Sequence, residues 1–192
     1  MTDIILASGS KNRLELLNKI GVFPKLVQPA DIDETPLKKE KPEDYVQRVA
    51  REKVEFVAKY HKNENILSAD SIVSVNNRII QKPKDVEDVK SFLKLYSGKN
   101  IKLYTAVYLI KKDGSISKKL VLTKAKFKHL NQRDLEDVLK EKNNAINYSC
   151  AGGLSVEGYI ECFIKRIDGS YSNIIGLPLY DVRNMLISAG IY

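Results

Sequence analysis

Cysteine is scarce in this sequence of 192 residues, which contains only Cys150 and Cys162. Their spacing matches neither a metal-ligand motif nor a disulfide framework, so we expect free thiols and a cytoplasmic protein. Long apolar runs are also missing, and none approaches the length that a membrane-spanning helix needs. The N-terminal residues lack the basic segment that opens a secretory signal peptide. The sequence therefore favours neither a membrane partner nor a disulfide-stabilised fold.

Repeats, linkers and low-complexity segments are missing as well, so residues 1–192 are expected to form one domain. The hydrophobic fraction of 43% and the charged fraction of 29% are typical of a globular protein. The net charge of +8 indicates either a polyanion-binding surface or lysines spread over solvated faces. No arginine-rich run or aromatic-interleaved basic motif occurs, so the second interpretation is favoured and nucleic acid is not an expected partner.

The first 21 residues predict a strand, a loop of small residues and a helix. The apolar residues 4–6 suit a buried strand, and the small residues 7–10 let a ligand approach the backbone. Ser10 is suited to cap the helix, which places Arg13 in its first turn. An arginine at a helix N-terminus is suited to bind phosphate. The alternative is an ordinary strand-turn-helix with a surface arginine.

A second helix is predicted over residues 42–60, and it carries a lysine at an unusual place. Its apolar stripe consists of Val46, Val49, Ala50, Val54 and Val57. Lys53 lies near the centre of that stripe, so its ammonium must either extend to solvent or meet an anion. We favour a functional lysine.

Two groups of carboxylates are candidate cation sites. Asp31, Asp33 and Glu34 lie within one loop, and carboxylate oxygens suit Mg²⁺, although a solvated loop is the alternative. Asp70 lies in the middle of a strand predicted over residues 66–75. If it is buried it requires a metal or a cationic partner, and otherwise it faces outward on a half-exposed strand.

A two-residue turn predicts a return strand over residues 78–82. A strict turn of this kind pairs Ser71 with Lys82, which leaves Lys82 on the face opposite Asp70. If Lys82 and Asp70 act together, we expect a bulge or a longer loop in this hairpin.

The remaining pattern mixes hairpins with helices, as in an α/β fold built on a mixed sheet. Further helices are predicted at residues 85–96, 132–142 and 178–189, and further strands at residues 23–28, 102–111, 116–130 and 159–167.

Seven segments, taken in order and nearly from end to end, resemble the Maf family of nucleotide pyrophosphatases. They are LASGSKNRLELL, DETP, VAREK, SADSIV, QKPKD, AGGLSVEG and GSYSNIIGLP. The resemblance implies an α/β fold like that of inosine triphosphatase, with an elongated mixed β-sheet flanked by helices and a cleft between two lobes. It also implies a possible homodimer.

The same resemblance implies an enzyme that uses Mg²⁺ or Mn²⁺ to hydrolyse nucleoside triphosphates between the α and β phosphates. The products are a nucleoside monophosphate and pyrophosphate. The implied role is the removal of modified or unwanted nucleotides, with an association with septum formation and division arrest.

The resemblance assigns roles to individual residues of this sequence. Asp70 matches the proton acceptor and lies close to the metal, and Glu34 matches a position that helps to hold the metal. The positions that match substrate-binding residues are Ser8, Ser10, Arg13, Lys53, Lys82 and Glu157.

Two positions bear on the nucleobase. Family members that act on dTTP and UTP typically carry Ser-Pro-Arg-Arg in the first loop and glutamine at the position of Glu157. This chain has Asn12 and Glu157, which favours 7-methyl-GTP, although that subgroup usually has tryptophan at position 12. A non-catalytic nucleotide or nucleic-acid binder, or a protein that regulates division, is the alternative to an enzyme.

Overall fold

The computed structural model describes residues 1–140, 150–153 and 156–192. The strands are β1 (Thr2–Leu6), β2 (Pro24–Val27), β3 (Ile66–Val75), β4 (Arg78–Ile80), β5 (Asn100–Ile110), β6 (Ile116–Phe127) and β7 (Ile164–Asp168). The helices are α1 (Lys11–Lys19), α2 (Pro42–Ala58), α3 (Val86–Tyr96), α4 (Gln132–Val138), α5 (Tyr171–Ile175) and α6 (Leu179–Ser188). Short 3₁₀ helices occupy Ala151–Gly153 and Tyr159–Phe163. No helix within these described ranges is long and apolar enough to cross a membrane.

The strands form one mixed sheet of seven strands, which confirms the predicted α/β class. Its order is β2-β1-β3-β5-β6-β7, and β4 pairs separately with β3. β1 runs parallel to both β2 and β3, whereas the other pairs are antiparallel.

One edge of β3 is interrupted, and this interruption positions the site. β5 pairs with β3 along residues 66–74 of one edge. On the other edge, β1 pairs with Ile66 and Leu67, and β4 pairs with residues 73–75. Among the described residues, no strand covers residues 68–72 on that edge. The ends of β1 and β4 therefore converge on a gap in the middle of the sheet.

The helices bury the two faces of the sheet in three apolar clusters. α2 covers one face through the predicted stripe of valines, and Ile66 and Ile72 of β3 pack against it. α1 and α6 cover the other face near Leu67 and Ala69. α3 packs against the end of β3 that pairs with β4. Successive side chains of β3 point to opposite faces of the sheet. At the gap, side chains from both faces can therefore reach the same space.

The elements around the gap follow the predicted pattern closely. β3 has the predicted bounds, and α2 begins at Pro42 as predicted and ends two residues earlier than expected. The side chain of Ser10 caps α1 by accepting a hydrogen bond from the Arg13 amide at 3.4 Å. Gly21 follows the helix with a φ of 75°, which suits glycine at a helix end.

The predicted strand over residues 159–167 is wrong in its first half. Tyr159–Phe163 forms a 3₁₀ helix, and β7 begins only at Ile164. Ile160 and Phe163 are both buried, and a spacing of three residues brings them to one side of a 3₁₀ helix. The sequence also gave no indication of α5. α4 ends at Val138, whereas residues 141 and 142 of the predicted helix lie outside the described residues.

Helix α3 supplies a test of how local capping stabilises this fold. Asp85 accepts a hydrogen bond from the Asp88 amide at 2.9 Å, whereas Lys41 at the start of α2 makes no side-chain capping bond. We expect Asp85→Ala to lower the free energy of unfolding by about 1 kcal/mol. Lys41→Ala is the matched control and should change it by less than about 0.5 kcal/mol. Urea denaturation measures both, and equal losses in the two variants would contradict the assigned cap.

Candidate active site

A cavity of about 1000 Å³ opens at the gap beside β3. All eight residues that the sequence marked as site positions line it: Ser8, Ser10, Arg13, Glu34, Lys53, Asp70, Lys82 and Glu157. They come from the first loop, α1, the acidic loop, α2, β3, the segment after β4 and the segment after the first 3₁₀ helix. The structure therefore brings together residues that are separated by more than half of the chain.

The centre of the site is a buried ion pair. The Nζ atom of Lys53 lies 2.7 Å from Oδ1 of Asp70 and 3.0 Å from Oε1 of Glu34. Lys53 and Asp70 are 8% and 5% exposed, so Asp70 faces inward and the ammonium of Lys53 meets an anion. The sequence left open whether Asp70 is buried with a partner or faces outward. In the structure it is buried and has a cationic partner.

Arg13 approaches the same gap from the opposite face of the sheet. Its Nη1 donates to Oγ of Ser8 and its Nη2 to Oγ of Ser71, both at 3.1 Å. Its Nε donates to the carbonyl oxygen of Gly176 at 3.0 Å. All three acceptors are neutral, so this buried guanidinium makes no direct ion pair with a described carboxylate.

Burial is the largest influence on the pKa values of Asp70 and Arg13. Burial raises the pKa of the Asp70 carboxyl, while the nearby Lys53 and Arg13 oppose that rise. Burial likewise lowers the pKa of the Arg13 guanidinium, and the carboxylates of Asp70 and Glu34 counteract it. A buried arginine without a paired carboxylate is an attractive position for the negative charge of a ligand.

The acidic loop contributes one carboxylate to this site rather than three. The phenol of Tyr45 on α2 donates to the carbonyl oxygen of Glu34 at 2.8 Å and holds the loop against the cavity. Asp33 instead accepts a hydrogen bond from the Thr35 amide at 2.8 Å and is exposed. No group of three metal-binding side chains occurs among the residues described, so the three carboxylates of this loop are not gathered around one point, and a cation site in the loop stays a prediction.

The predicted irregularity in the β3–β4 hairpin is not present. The register pairs Val75 with Arg78 and Val73 with Ile80, which corresponds to a strict two-residue turn. β4 nevertheless ends at Ile80, two residues before the predicted end. Lys82 therefore lies beyond the paired residues of β3 and β4, where the alternation of side chains along a strand does not decide which face of the sheet it occupies. It lines the same cavity as Asp70.

Glu157 lies at the rim of the cavity. Its Oε1 is 3.9 Å from Nζ of Lys19 at the end of α1, and its side chain is 43% exposed. Asn12 also lines the cavity, and its Nδ2 donates to the carbonyl oxygen of Ile175 at 3.5 Å. Glu157 thus contacts the last residue of α1, and Asn12 contacts the last residue of α5.

The cavity also has an apolar part, which the sequence analysis did not identify. Val73, Leu103, Phe127 and Ile160 belong to this part of the lining. A cavity that combines buried cations with an apolar wall suits a ligand with a strongly anionic group and a flat ring.

Three contact residues escaped the sequence analysis because they act through other residues. Tyr45 holds the Glu34 loop. It lies four residues before Val49 on the apolar stripe, so the sequence pattern predicts only a core residue at this position. Ser71 adjoins Asp70, so its position on β3 was a usable signal for its contact with Arg13. The contact of Gly176 with Arg13 spans 163 residues and leaves no local signal.

The burial of Asp70 predicts a pH-dependent cost when its partner is removed. We expect Lys53→Met to lower the free energy of unfolding by about 3–5 kcal/mol at neutral pH, because it leaves a buried carboxylate without its closest cation. The folded carboxyl binds its proton more tightly than the unfolded one. The cost should therefore shrink as the pH falls from about 8 to about 4.

Urea denaturation of the variant at several pH values measures this cost. Adding Asp70→Asn should restore most of the lost stability, because no buried charge then remains unpaired. Lys90→Met is a control in an exposed ion pair with Glu87 and should have little effect at any pH. A cost for Lys53→Met that does not vary with pH would contradict the assigned ion pair.

Comparisons with known proteins show which family this chain resembles. A protein of Zymomonas mobilis subsp. mobilis named dTTP/UTP pyrophosphatase is 43% identical over 189 residues, covering 98% of this chain and 92% of the relative. A protein of Rickettsia rickettsii named nucleoside triphosphate pyrophosphatase is 39% identical and covers 97% of this chain and 87% of the relative.

The structure of a HAM1 protein from Coxiella burnetii shares the fold, with a TM-score of 0.54 at 14% identity. That match covers 98% of this chain and 100% of the other. The family described as Maf-like protein matches residues 3–189. The chain therefore belongs to the Maf family.

Proposed function

We propose that this protein hydrolyses nucleoside triphosphates between the α and β phosphates and releases a nucleoside monophosphate and pyrophosphate. The observation that carries the proposal is the buried Asp70 beside two buried cations, Lys53 and Arg13, at the wall of one cavity. Membership of the Maf family and the names of the relatives support the same reaction class.

The charges of the site suit a triphosphate. Breaking a phosphoanhydride bond requires that the negative charge on the phosphate oxygens be stabilised, and positioned cations supply most of that effect. Arg13 offers a planar fork that matches phosphate oxygens, and Lys53 and Lys82 add positive charge along the same cavity. Ser8 and Ser10 lie in the small-residue loop at the N-terminus of α1, where backbone N–H groups suit an anion.

Asp70 is the proposed proton acceptor. The oxygen of a water molecule bonds to the α phosphorus, and the bond from this phosphorus to the α-β bridging oxygen breaks. Pyrophosphate leaves with the bridging oxygen, and a proton of the water passes to the carboxylate of Asp70. Burial raises the pKa of Asp70, which makes it a stronger base than an exposed aspartate. The positive charge of Lys53 opposes this rise in pKa, and its contact at 2.7 Å fixes the orientation of the carboxyl group.

The proposed cofactor is Mg²⁺ or Mn²⁺. Glu34 and Asp70 both contact the ammonium of Lys53, at 3.0 and 2.7 Å, so both carboxylates already face one cationic group. Two carboxylates, completed by waters and phosphate oxygens, are a donor set that suits Mg²⁺. These two residues would hold the metal, which when bound neutralises phosphate charge and polarises a water molecule.

The nucleobase is proposed from the relatives rather than from the first loop. Relatives in Zymomonas mobilis and Caulobacter vibrioides are named dTTP/UTP pyrophosphatases, at 43% and 41% identity. We therefore propose dTTP and UTP as substrates, in the removal of unwanted nucleotides. The preference for 7-methyl-GTP that Asn12 and Glu157 suggested has no support in the comparisons, and neither has a role in division arrest. A homodimer stays a prediction.

A panel of nucleotides tests the function directly. We expect release of pyrophosphate, and not of single phosphates, with faster turnover of dTTP and UTP than of 7-methyl-GTP. Adding EDTA should abolish turnover, and an excess of Mg²⁺ or Mn²⁺ should restore it. Coupled detection of pyrophosphate with and without pyrophosphatase measures the products. Tight, salt-sensitive DNA binding without turnover of any nucleotide would instead support a nucleic-acid binder.

Replacing the proposed base tests the mechanism. We expect Asp70→Asn to lower kcat by about 10²–10⁴-fold, because the amide cannot accept the proton of the attacking water. The fold should persist, since the change conserves shape and leaves Lys53 paired with Glu34. Asp113→Asn, in the β5–β6 turn, is the matched control and should keep full turnover. Turnover by Asp70→Asn within a few-fold of the natural protein would exclude Asp70 as the base.

A further inference from the structure

A chain of buried hydrogen bonds links β6 to helix α5. Nδ2 of Asn173 donates to Oγ1 of Thr123 at 3.1 Å and to the carbonyl oxygen of Leu103 at 3.3 Å. The Ser170 amide, which precedes α5, also donates to Oγ1 of Thr123 at 3.0 Å. Thr123 and Asn173 are 0% and 1% exposed, so these bonds are shielded from water.

The other end of α5 touches Arg13. The carbonyl oxygen of Gly176 accepts hydrogen bonds from Nε of Arg13 at 3.0 Å and from Oγ of Ser71 at 3.3 Å. Helix α5 has only five residues, too few to be stable by itself. Its position therefore depends on contacts with other elements, which include Thr123 and Leu103 at one end and Asn12 and Arg13 at the other.

The remaining contacts of Arg13 make its orientation sensitive to α5. Gly176, Ser8 and Ser71 each accept one hydrogen bond from the guanidinium, which carries more N–H donors than these three acceptors use. Because the guanidinium is rigid and planar, moving the acceptor of Nε redirects the donors that remain for an oxyanion. Thr123 does not line the cavity, so its hydroxyl can affect a ligand there only through neighbouring groups.

We propose that Thr123 is a positioning residue that sets the orientation of the Arg13 guanidinium by anchoring α5 through Asn173 and Ser170. The kinetic part of this proposal rests on the proposed function. Asn173 also lines the cavity, and its Oδ1 has no hydrogen-bond partner in the described part of the chain, so its link to β5 and β6 consists of its two Nδ2 donor bonds.

Two substitutions of Thr123 distinguish the effect of its hydroxyl group from the effect of its side-chain shape. Thr123→Val keeps the shape and removes the hydroxyl, whereas Thr123→Ser keeps the hydroxyl. We expect Thr123→Val to lower kcat/KM for the best nucleotide about tenfold, which corresponds to the loss of about one hydrogen bond. Thr123→Ser should stay within about threefold of the natural protein. Both are assayed well below their melting temperatures.

A double variant distinguishes positioning from general destabilisation. In an Arg13→Lys background, Thr123→Val should cause no further loss of kcat/KM, because the guanidinium whose orientation depends on Thr123 is already absent. Full additivity of the two losses would overturn the proposal, since it would show that Thr123 acts independently of Arg13.

A spectroscopic measurement does not require turnover. The Nε–Hε resonance of Arg13, identified by its loss in Arg13→Lys, should shift in Thr123→Val and stay in place in Thr123→Ser. Titration with pyrophosphate should show weaker binding by Thr123→Val only. If no nucleotide is hydrolysed, the proposed function fails, while this resonance still tests the positioning. An unchanged resonance in Thr123→Val would overturn it.

A glycine substitution tests the same link if Thr123→Val does not fold. A Cβ on Gly176 meets nothing within 4 Å, yet its φ of +131° is strained for any other residue. Gly176→Ala should therefore turn the carbonyl away from Arg13 and shift the same resonance. Gly114→Ala, at a φ of +80° with equally open space, is the matched control and should leave it unchanged. Identical resonances in both variants would contradict the proposal.

Discussion

The ion pair between Lys53 and Asp70 constrains how the two central elements meet. A carboxylate in the middle of a buried strand is costly unless a cation lies beside it. α2 supplies that cation from the centre of its apolar stripe, so helix and strand can pack in only one register. A second bond agrees with this register, since Oγ of Ser68 donates to the carbonyl oxygen of Ala50 at 2.6 Å. These polar contacts thus determine the register in which α2 packs on β3, and the valines of α2 stabilise that packing.

The same constraint explains why the site lies at an interruption of the sheet. Asp70 and Ser71 face opposite sides of β3, and each meets a cation from the helix on its own side. Arg13 and Lys53 can approach one cavity only because neither β1 nor β4 covers the strand between them. The interruption thereby joins two faces that a continuous sheet would keep apart.

Sequence reasoning succeeded where a residue contradicted its local pattern. Lys53 on an apolar stripe and Asp70 in a strand were both anomalies, and each anomaly marked a buried charge. Local patterns were less informative where the spacing of apolar residues fits two kinds of structure. Ile160 and Phe163 are an example, because their apolar side chains fit either a strand or a 3₁₀ helix. The contact between Arg13 and Gly176 depends on the packing of α5 against distant strands, so no local pattern could reveal it.

The interrupted edge of β3 also bears on association between molecules. Unpaired strand groups at the border of a sheet are a template on which a strand of another chain can add, and such addition leads to aggregation. Here β1 and β4 close the open stretch at both ends, so an extended foreign segment has no room to align with it. The gap in the middle of the sheet can therefore admit a small ligand without becoming a third border, beside β2 and β7, on which a strand of another chain could add.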